Sequence, residues 1–136
     1  MNLKEYNAAN SQVIRHGAVS IRVNAKTGVI SLSSATVKIL GLEAGNGIAI
    51  INDEDSPKDW YIHVSASPDA FKLRTFKGKS KYGFLFCNST VVVRKMLESV
   101  GITHYSAAFT ISQTPVEIQG LQYWLIITSK PLATKN

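Results

Sequence analysis

The stretch YGFLFCNSTVVVRKMLESVGI, residues 82–102, decides how the chain is read, because GVISLSSATVKILGL, residues 28–42, has the same plan earlier in the sequence. In each, a short β-prone run (84–87 or 29–32) reaches small polar residues, Asn88-Ser89 or Ser33-Ser34, suited to capping a helix N-terminus. A helical segment follows and ends at Gly101-Ile102 or Gly41-Leu42, the pattern of a left-handed C-cap. The parallel continues: residues 47–52 answer 105–112, and 59–65 answer 122–129. The spacing predicts one α+β, strand-rich domain made of two pseudo-repeats of strand, strand, helix, strand, strand, at about residues 13–65 and 70–129. The helices are expected to pack on curved antiparallel sheets, the second being longer by about one turn. Residues 1–12 and 130–136 read as polar tails.

Working outward, Val19, Ile21 and Val23 alternate with Ser20 and Arg22, which predicts a half-buried strand with Arg22 on its polar face and a turn over residues 24–28. The first helix, about residues 34–40, places Val37 and Leu40 inward and Lys38 outward. The second, about residues 89–100, places Val92 or Val93, Met96, Leu97 and Val100 inward, with Arg94, Lys95 and Glu98 opposite. Residues 71–77 alternate again: Phe71 and Leu73 share one face, and Lys72, Arg74 and Phe76 the other. Cations beside an aromatic ring suit phosphate contact with base stacking. Gly78-Lys79-Ser80-Lys81 reads as a cationic hairpin turn. The last strands are expected at about 104–112 and 119–129, separated by residues 113–117.

Charge is unevenly spread. Residues 1–65 balance to zero, so the whole net charge of +6 lies in residues 66–136, which points to an anionic partner. The single cysteine, Cys87, excludes an intrachain disulfide; it reads as a small buried hydrophobe and fits a reducing, cytoplasmic setting. No segment has a signal-peptide or membrane-spanning pattern. The acidic loop 52–59 lacks the spacing of a calcium loop, and Leu73 stands where a phosphate-binding loop ending at residues 78–81 needs glycine. His16, His63 and His104 have no metal-ligand spacing, and no nucleophile-elbow pattern occurs. No cofactor, metal or catalytic group is expected, and the chain reads as non-enzymatic.

The first unit, with Arg22, Gly28, Ile30, Ser31, Leu32, Leu40, Gly41, Leu42, Gly45 and Ile48, resembles the AbrB/SpoVT swapped-hairpin family. Ser33 stands where that family commonly has proline, and Asn46 where it has aspartate. The resemblance implies a DNA-binding regulator, often dimeric, with Arg15, Arg22 and Lys26 of the first hairpin on the DNA. Read from Ile48, the order of four strands and a helix is similar to the Whirly and Pur single-stranded nucleic-acid-binding units. That likeness implies contacts from Trp60, Lys72, Arg74, Phe76, Lys79, Lys81 and Tyr82. The candidate nucleic-acid-binding residues are therefore Arg22, Lys26, Lys72, Arg74, Phe76, Lys77, Lys79, Lys81 and Tyr82, with DNA, single-stranded or duplex, as the partner. The alternative is a structural or protein-interaction module forming a homodimer, with aromatic-rich Leu121–Ile127 as an exposed edge strand.

Overall fold

The computed structural model describes residues 3, 18–75 and 84–135. Of the expected contact residues, Arg15, Phe76, Lys77, Lys79, Lys81 and Tyr82 lie outside them. The chain forms β1 (Ser20–Asn24), β2 (Val29–Leu32), α1 (Ser34–Leu40), β3 (Gly47–Asn52), β4 (Trp60–Ser65), β5 (Phe71–Lys72) and β6 (Leu85–Asn88). It continues with α2 (Thr90–Ser99), β7 (Ser106–Ile111), β8 (Val116–Ile118), β9 (Leu121–Ile127) and β10 (Ala133–Lys135). The strands make one antiparallel sheet in the order β5-β3-β4-β9-β7-β1-β2-β6, with β8 on β9 and β10 on β7. The sheet curls until its ends meet, since Arg74 and Phe86 exchange backbone hydrogen bonds of 2.8 and 2.9 Å. The result is a strand-rich α+β fold with a nearly closed sheet.

Alternation explains which side of each strand is buried. Ile21 and Val23 of β1, Ile30 and Leu32 of β2, Leu85 and Cys87 of β6, and Phe109 and Ile111 of β7 all point inward. Val93, Met96 and Leu97 of α2 join them, and this helix packs against β1 and β2. Successive strand side chains take opposite faces, so burying this set obliges Arg22, Ser31 and Phe86 to face outward.

Both helices begin and end as their local sequence dictates. Ser33 accepts from Thr36 N and Ser89 from Val92 N, satisfying amides that the first turn leaves without partners. At the other ends, Leu42 N reaches Val37 O and Ile102 N reaches Leu97 O, closing both helices through left-handed Gly41 (φ 67°) and Gly101 (φ 74°).

Ser33 does more than cap. Its hydroxyl donates to Ala18 O (2.6 Å) and accepts from Ser20 N (3.1 Å), and its own amide donates to Ser20 O (3.1 Å). Fully buried Thr36 donates its hydroxyl to the same Ser20 carbonyl (3.0 Å). Proline at position 33 could make none of the bonds that Ser33 makes through Oγ and N. Replacing Ser33 by Ala is expected to destabilise the protein by about 2 kcal/mol, one cap plus the bonds that tie β1 to α1, read as a lower urea midpoint at unchanged slope.

Four expectations are corrected. Residues 130–136 are not wholly a tail, because Ala133–Lys135 forms β10 and pairs with β7 at Ser106–Ala108. There β9, which pairs with β7 only at Thr110 and Ile111, leaves the β7 backbone uncovered. Residues 113–117 are not a plain connection: Val116–Ile118 is β8, joined to β9 by a two-residue turn in which Gln119 (φ 54°) and Gly120 (φ 81°) are both left-handed. That is the type I′ geometry favoured in tight hairpins. Leu121–Ile127 is not an edge strand, since β9 pairs with β4 and β7 within the main sheet. Of the strand expected over residues 71–77, the described residues form a strand only at Phe71–Lys72, yet the alternation continues through Arg74: Leu73 is 1% exposed, while Lys72 and Arg74 face solvent. No helix among the described residues is long and apolar enough to cross a membrane.

Candidate nucleic-acid interface

The register places two arginines on one row of the outer face. Arg22 lies opposite Ser31, Ser31 opposite Phe86, and Phe86 opposite Arg74. Four adjacent strand segments at the usual spacing set the two arginine Cα atoms about 14 Å apart. That is roughly four nucleotide rises along one strand at about 3.4 Å each. A hollow of about 310 Å3 beside Arg22 is lined by Ser20, Ser31, Ser33 and Phe84.

Arg74 is held in place. Its guanidinium lies over the Phe86 ring, 4.9 Å from the centroid, and donates to Asn88 Oδ1. Asn88 in turn donates to Thr27 O (3.4 Å) in the β1–β2 turn. A guanidinium held in this way presents a flat, rigid fork, which suits a phosphate or a base better than the ammonium of lysine does. Lys72, two residues before Arg74, is also exposed and on the outward side of the sheet.

Lys26 occupies the tip of the β1–β2 turn. Asn24 Oδ1 accepts from Lys26 N (2.8 Å) and Thr27 N (3.2 Å), and Ala25 N donates to Tyr105 O (2.6 Å). The Lys26 ammonium lies 4.1 Å from the Tyr105 ring centroid, so part of its charge is already engaged by an aromatic face. Arg22, Lys72 and Arg74 thus share the outward surface of the barrel wall, with Lys26 at its rim.

Trp60 does not serve as a stacking platform. It is 5% exposed, and its indole Nε1 donates to Ser99 Oγ (2.8 Å), tying β4 to the end of α2. Two residues of the surface, Phe86 and Asn88, position Arg74 although the local sequence presents them only as part of a strand and of a cap. The alternation of Leu85 and Cys87 could have turned Phe86 outward, but nothing local announces that it pairs with Ser31.

Cys87 lies directly beneath this surface. Burial pushes its thiol from 9.0 up to about 11, with Arg74 pulling the other way, so it is neither an anion nor a nucleophile at neutral pH. Because the raised value belongs to the folded state, the stability it contributes is fully present below pH 9 and is lost as pH rises through 11. About 2 kcal/mol should disappear across that window at this position. Urea unfolding of wild type and Cys87→Ala at pH 8 and pH 11 should show a smaller pH dependence in the variant; equal dependence would refute the assignment.

The acidic loop is braced by internal hydrogen bonds. Asp53 Oδ1 accepts from Asp55 N (3.0 Å), and Asn52 Nδ2 donates to Pro57 O (2.9 Å) and Asp59 O (3.2 Å). Among known proteins, no family model matches the chain, and neither a curated protein nor a solved structure does so.

Proposed function

We propose that this chain is a non-enzymatic nucleic-acid-binding protein whose contact surface is the outer wall formed by β1, β2, β6 and the end of β5. The observation that carries this reading is the single row Arg22–Ser31–Phe86–Arg74, two exposed cations flanking a partly exposed aromatic ring. Phosphates would be met by Arg22, Arg74 and Lys72, and a base would stack against the Phe86–Arg74 pair. A buried, free cysteine suits a cytoplasmic location.

We further infer that the chain is a duplicated unit of the AbrB/SpoVT type, fused so that one polypeptide supplies both halves of the barrel. The pairing map supports it. Exchanging β1 with β5, β2 with β6, β3 with β7 and β4 with β9 carries β1·β7 onto β5·β3 and β3·β4 onto β7·β9. It carries β1·β2 onto the Arg74–Phe86 bridge and leaves β2·β6 and β4·β9 unchanged. Under this exchange Arg22, opposite Ser31, becomes Arg74, opposite Phe86. The row would then be a dyad-related pair of cations.

The test is fluorescence anisotropy with labelled single-stranded and duplex oligonucleotides at about 50 and 200 mM salt. Binding that weakens steeply with salt is the expected result, and the preferred form decides between a duplex regulator and a single-strand binder. Failure to bind either form at the lower salt would overturn the reading.

A further inference from the structure

The hollow beside Arg22 is lined in large part by serine hydroxyls, and these differ in what they already bind. Ser33 Oγ is occupied: it donates to Ala18 O and accepts from the amides of Ser20 and Thr36. The hydroxyls of Ser20 and Ser31 have no such partner among the described residues, and both side chains are partly exposed. Ser31 lies opposite Arg22 on the next strand, and Ser20 precedes Arg22 by two residues, so both stand on the outward side. Ser20 O accepts from Ser33 N, which makes Ser20 and Ser31 diagonal neighbours about 7 Å apart. That span admits one further hydroxyl between them, hydrogen-bonded to each at about 2.8 Å. The amide side chains of this wall, which could read a base edge, are committed elsewhere. Asn24 Oδ1 accepts from the amides of Lys26 and Thr27, and Asn88 binds Arg74 and Thr27 O.

We propose that Ser20 and Ser31 hold the 2′-hydroxyl of a ribose, and that the ligand of this wall is single-stranded RNA; the inference rests on the nucleic-acid reading given above. Order along the row decides which part of a nucleotide each group meets. Phe86 with Arg74 over its ring, then Ser31, then Arg22 follow one another at about 4.8 Å per strand. Base, sugar and phosphate follow one another in the same order within a nucleotide. A base on the Phe86–Arg74 stack and a phosphate on Arg22 therefore put the sugar over Ser31. A serine hydroxyl both donates and accepts, as a ribose 2′-hydroxyl does, whereas deoxyribose gives it nothing to bind. The hollow, at about 310 Å3, lies at the small end of ligand sites, the scale of one sugar with its phosphate and not of a base pair. The strand is single because a base must leave its pair to lie flat on a ring and a guanidinium. With Asn24 and Asn88 committed, the wall reads the sugar more closely than the base.

Anisotropy titration with labelled oligouridine and oligodeoxyuridine of equal length, at about 50 mM salt, compares two strands that differ only at the 2′ position. The ribose strand is expected to bind about fivefold more tightly, the factor that one net hydrogen bond contributes. A 2′-fluoro strand keeps an RNA-like sugar pucker but cannot donate, so the wild type should bind it no better than the deoxy strand; this arm needs no variant. Annealing the oligouridine to oligoadenosine should weaken binding. Ser20→Ala combined with Ser31→Ala should bring the ratio of ribose to deoxy affinity down to about one, whereas Arg22→Ala should weaken both strands and keep the ratio. Equal affinity of the wild type for the ribose and deoxy strands overturns the ribose site and leaves the nucleic-acid reading standing. So would a 2′-fluoro strand that binds as RNA does, a ribose preference that survives in the double variant, or tighter binding of the duplex. Binding of neither strand overturns the nucleic-acid reading itself, and the ribose site with it.

Discussion

Replacing Arg22 and Arg74 together by alanine is expected to weaken duplex DNA binding by about 60-fold at 0.1 M salt, and single-strand binding by about 25-fold. The magnitude comes from counterion release. Each neutralised phosphate contributes a slope of about 0.9 in log K against log salt for duplex and about 0.7 for single strands, so removing two such cations gives those factors over one decade of salt. The slope itself should fall by about 1.8 or 1.4 units, which separates unneutralised phosphates from a general drop in affinity. Both side chains are exposed, so the fold should survive, with a modest cost where Arg74 leaves Phe86 and Asn88. A charge-matched control decides whether position matters. Lys58→Ala with Lys130→Ala removes the same two charges away from the row and should change affinity less than about threefold. Equal losses in both double variants would mean that net charge alone binds nucleic acid and that the row has no special part.

Gly47→Ala is expected to cost about 3 kcal/mol and to lower the melting temperature by about 10 °C. Gly47 begins β3, where the backbone passes between Ser65 at the end of β4 and the connection that leads into β5. An added Cβ would stand 2.6 Å from Ser65 O and 2.7 Å from the Ala70 Cβ. Neither obstacle is the end of a flexible side chain. Relief therefore requires moving β4 or the 66–70 connection, and with it the β3·β5 pairing that leads to the closure at Arg74. Gly101→Ala is the useful contrast. A Cβ there meets nothing within 4 Å, so only the left-handed φ of 74° is penalised, at about 1 kcal/mol. Denaturant titration of both variants should show the threefold difference. Similar costs would mean that backbone conformation, not the close approach of β4, governs Gly47.

Much of the secondary structure could be read locally. Ser33 and Ser89, followed by apolar residues at helical spacing and then Gly41 and Gly101, specify where each helix starts and stops, because capping bonds reach only three or four residues. The strands Ser20–Asn24 and Val29–Leu32 were legible from alternation and from the Asn24–Gly28 turn, whose hydrogen bonds are equally local. The type I′ turn at Gln119-Gly120 was not legible because glutamine rarely takes the left-handed conformation and the usual Asn-Gly or Asp-Gly signal is absent. Strand β10 was not legible because Ala133-Thr134-Lys135 has too little pattern to predict a strand; it forms where β7 leaves backbone groups that need partners. Trp60 was misplaced because the likeness to the Whirly and Pur units put it on a contact face, whereas the sheet buries it and Ser99, 39 residues away, accepts its indole hydrogen bond.

The candidate surface divides in the same way. That Arg22 and Arg74 each face outward follows from the apolar residues on either side of them, Ile21 and Val23 in one case and Leu73 in the other. That they share one row does not. It depends on β2 pairing with β6 and on Arg74 meeting Phe86, pairings between segments 55 and 12 residues apart whose backbone hydrogen bonds would look the same in any register. By itself, then, the amino-acid order determined the helix boundaries, the inward and outward faces of most strands, and the excess of positive charge. Closure of the sheet alone decided which outward residues became neighbours, because a strand's partner is chosen by the burial of the whole core and not by the few residues on either side of it.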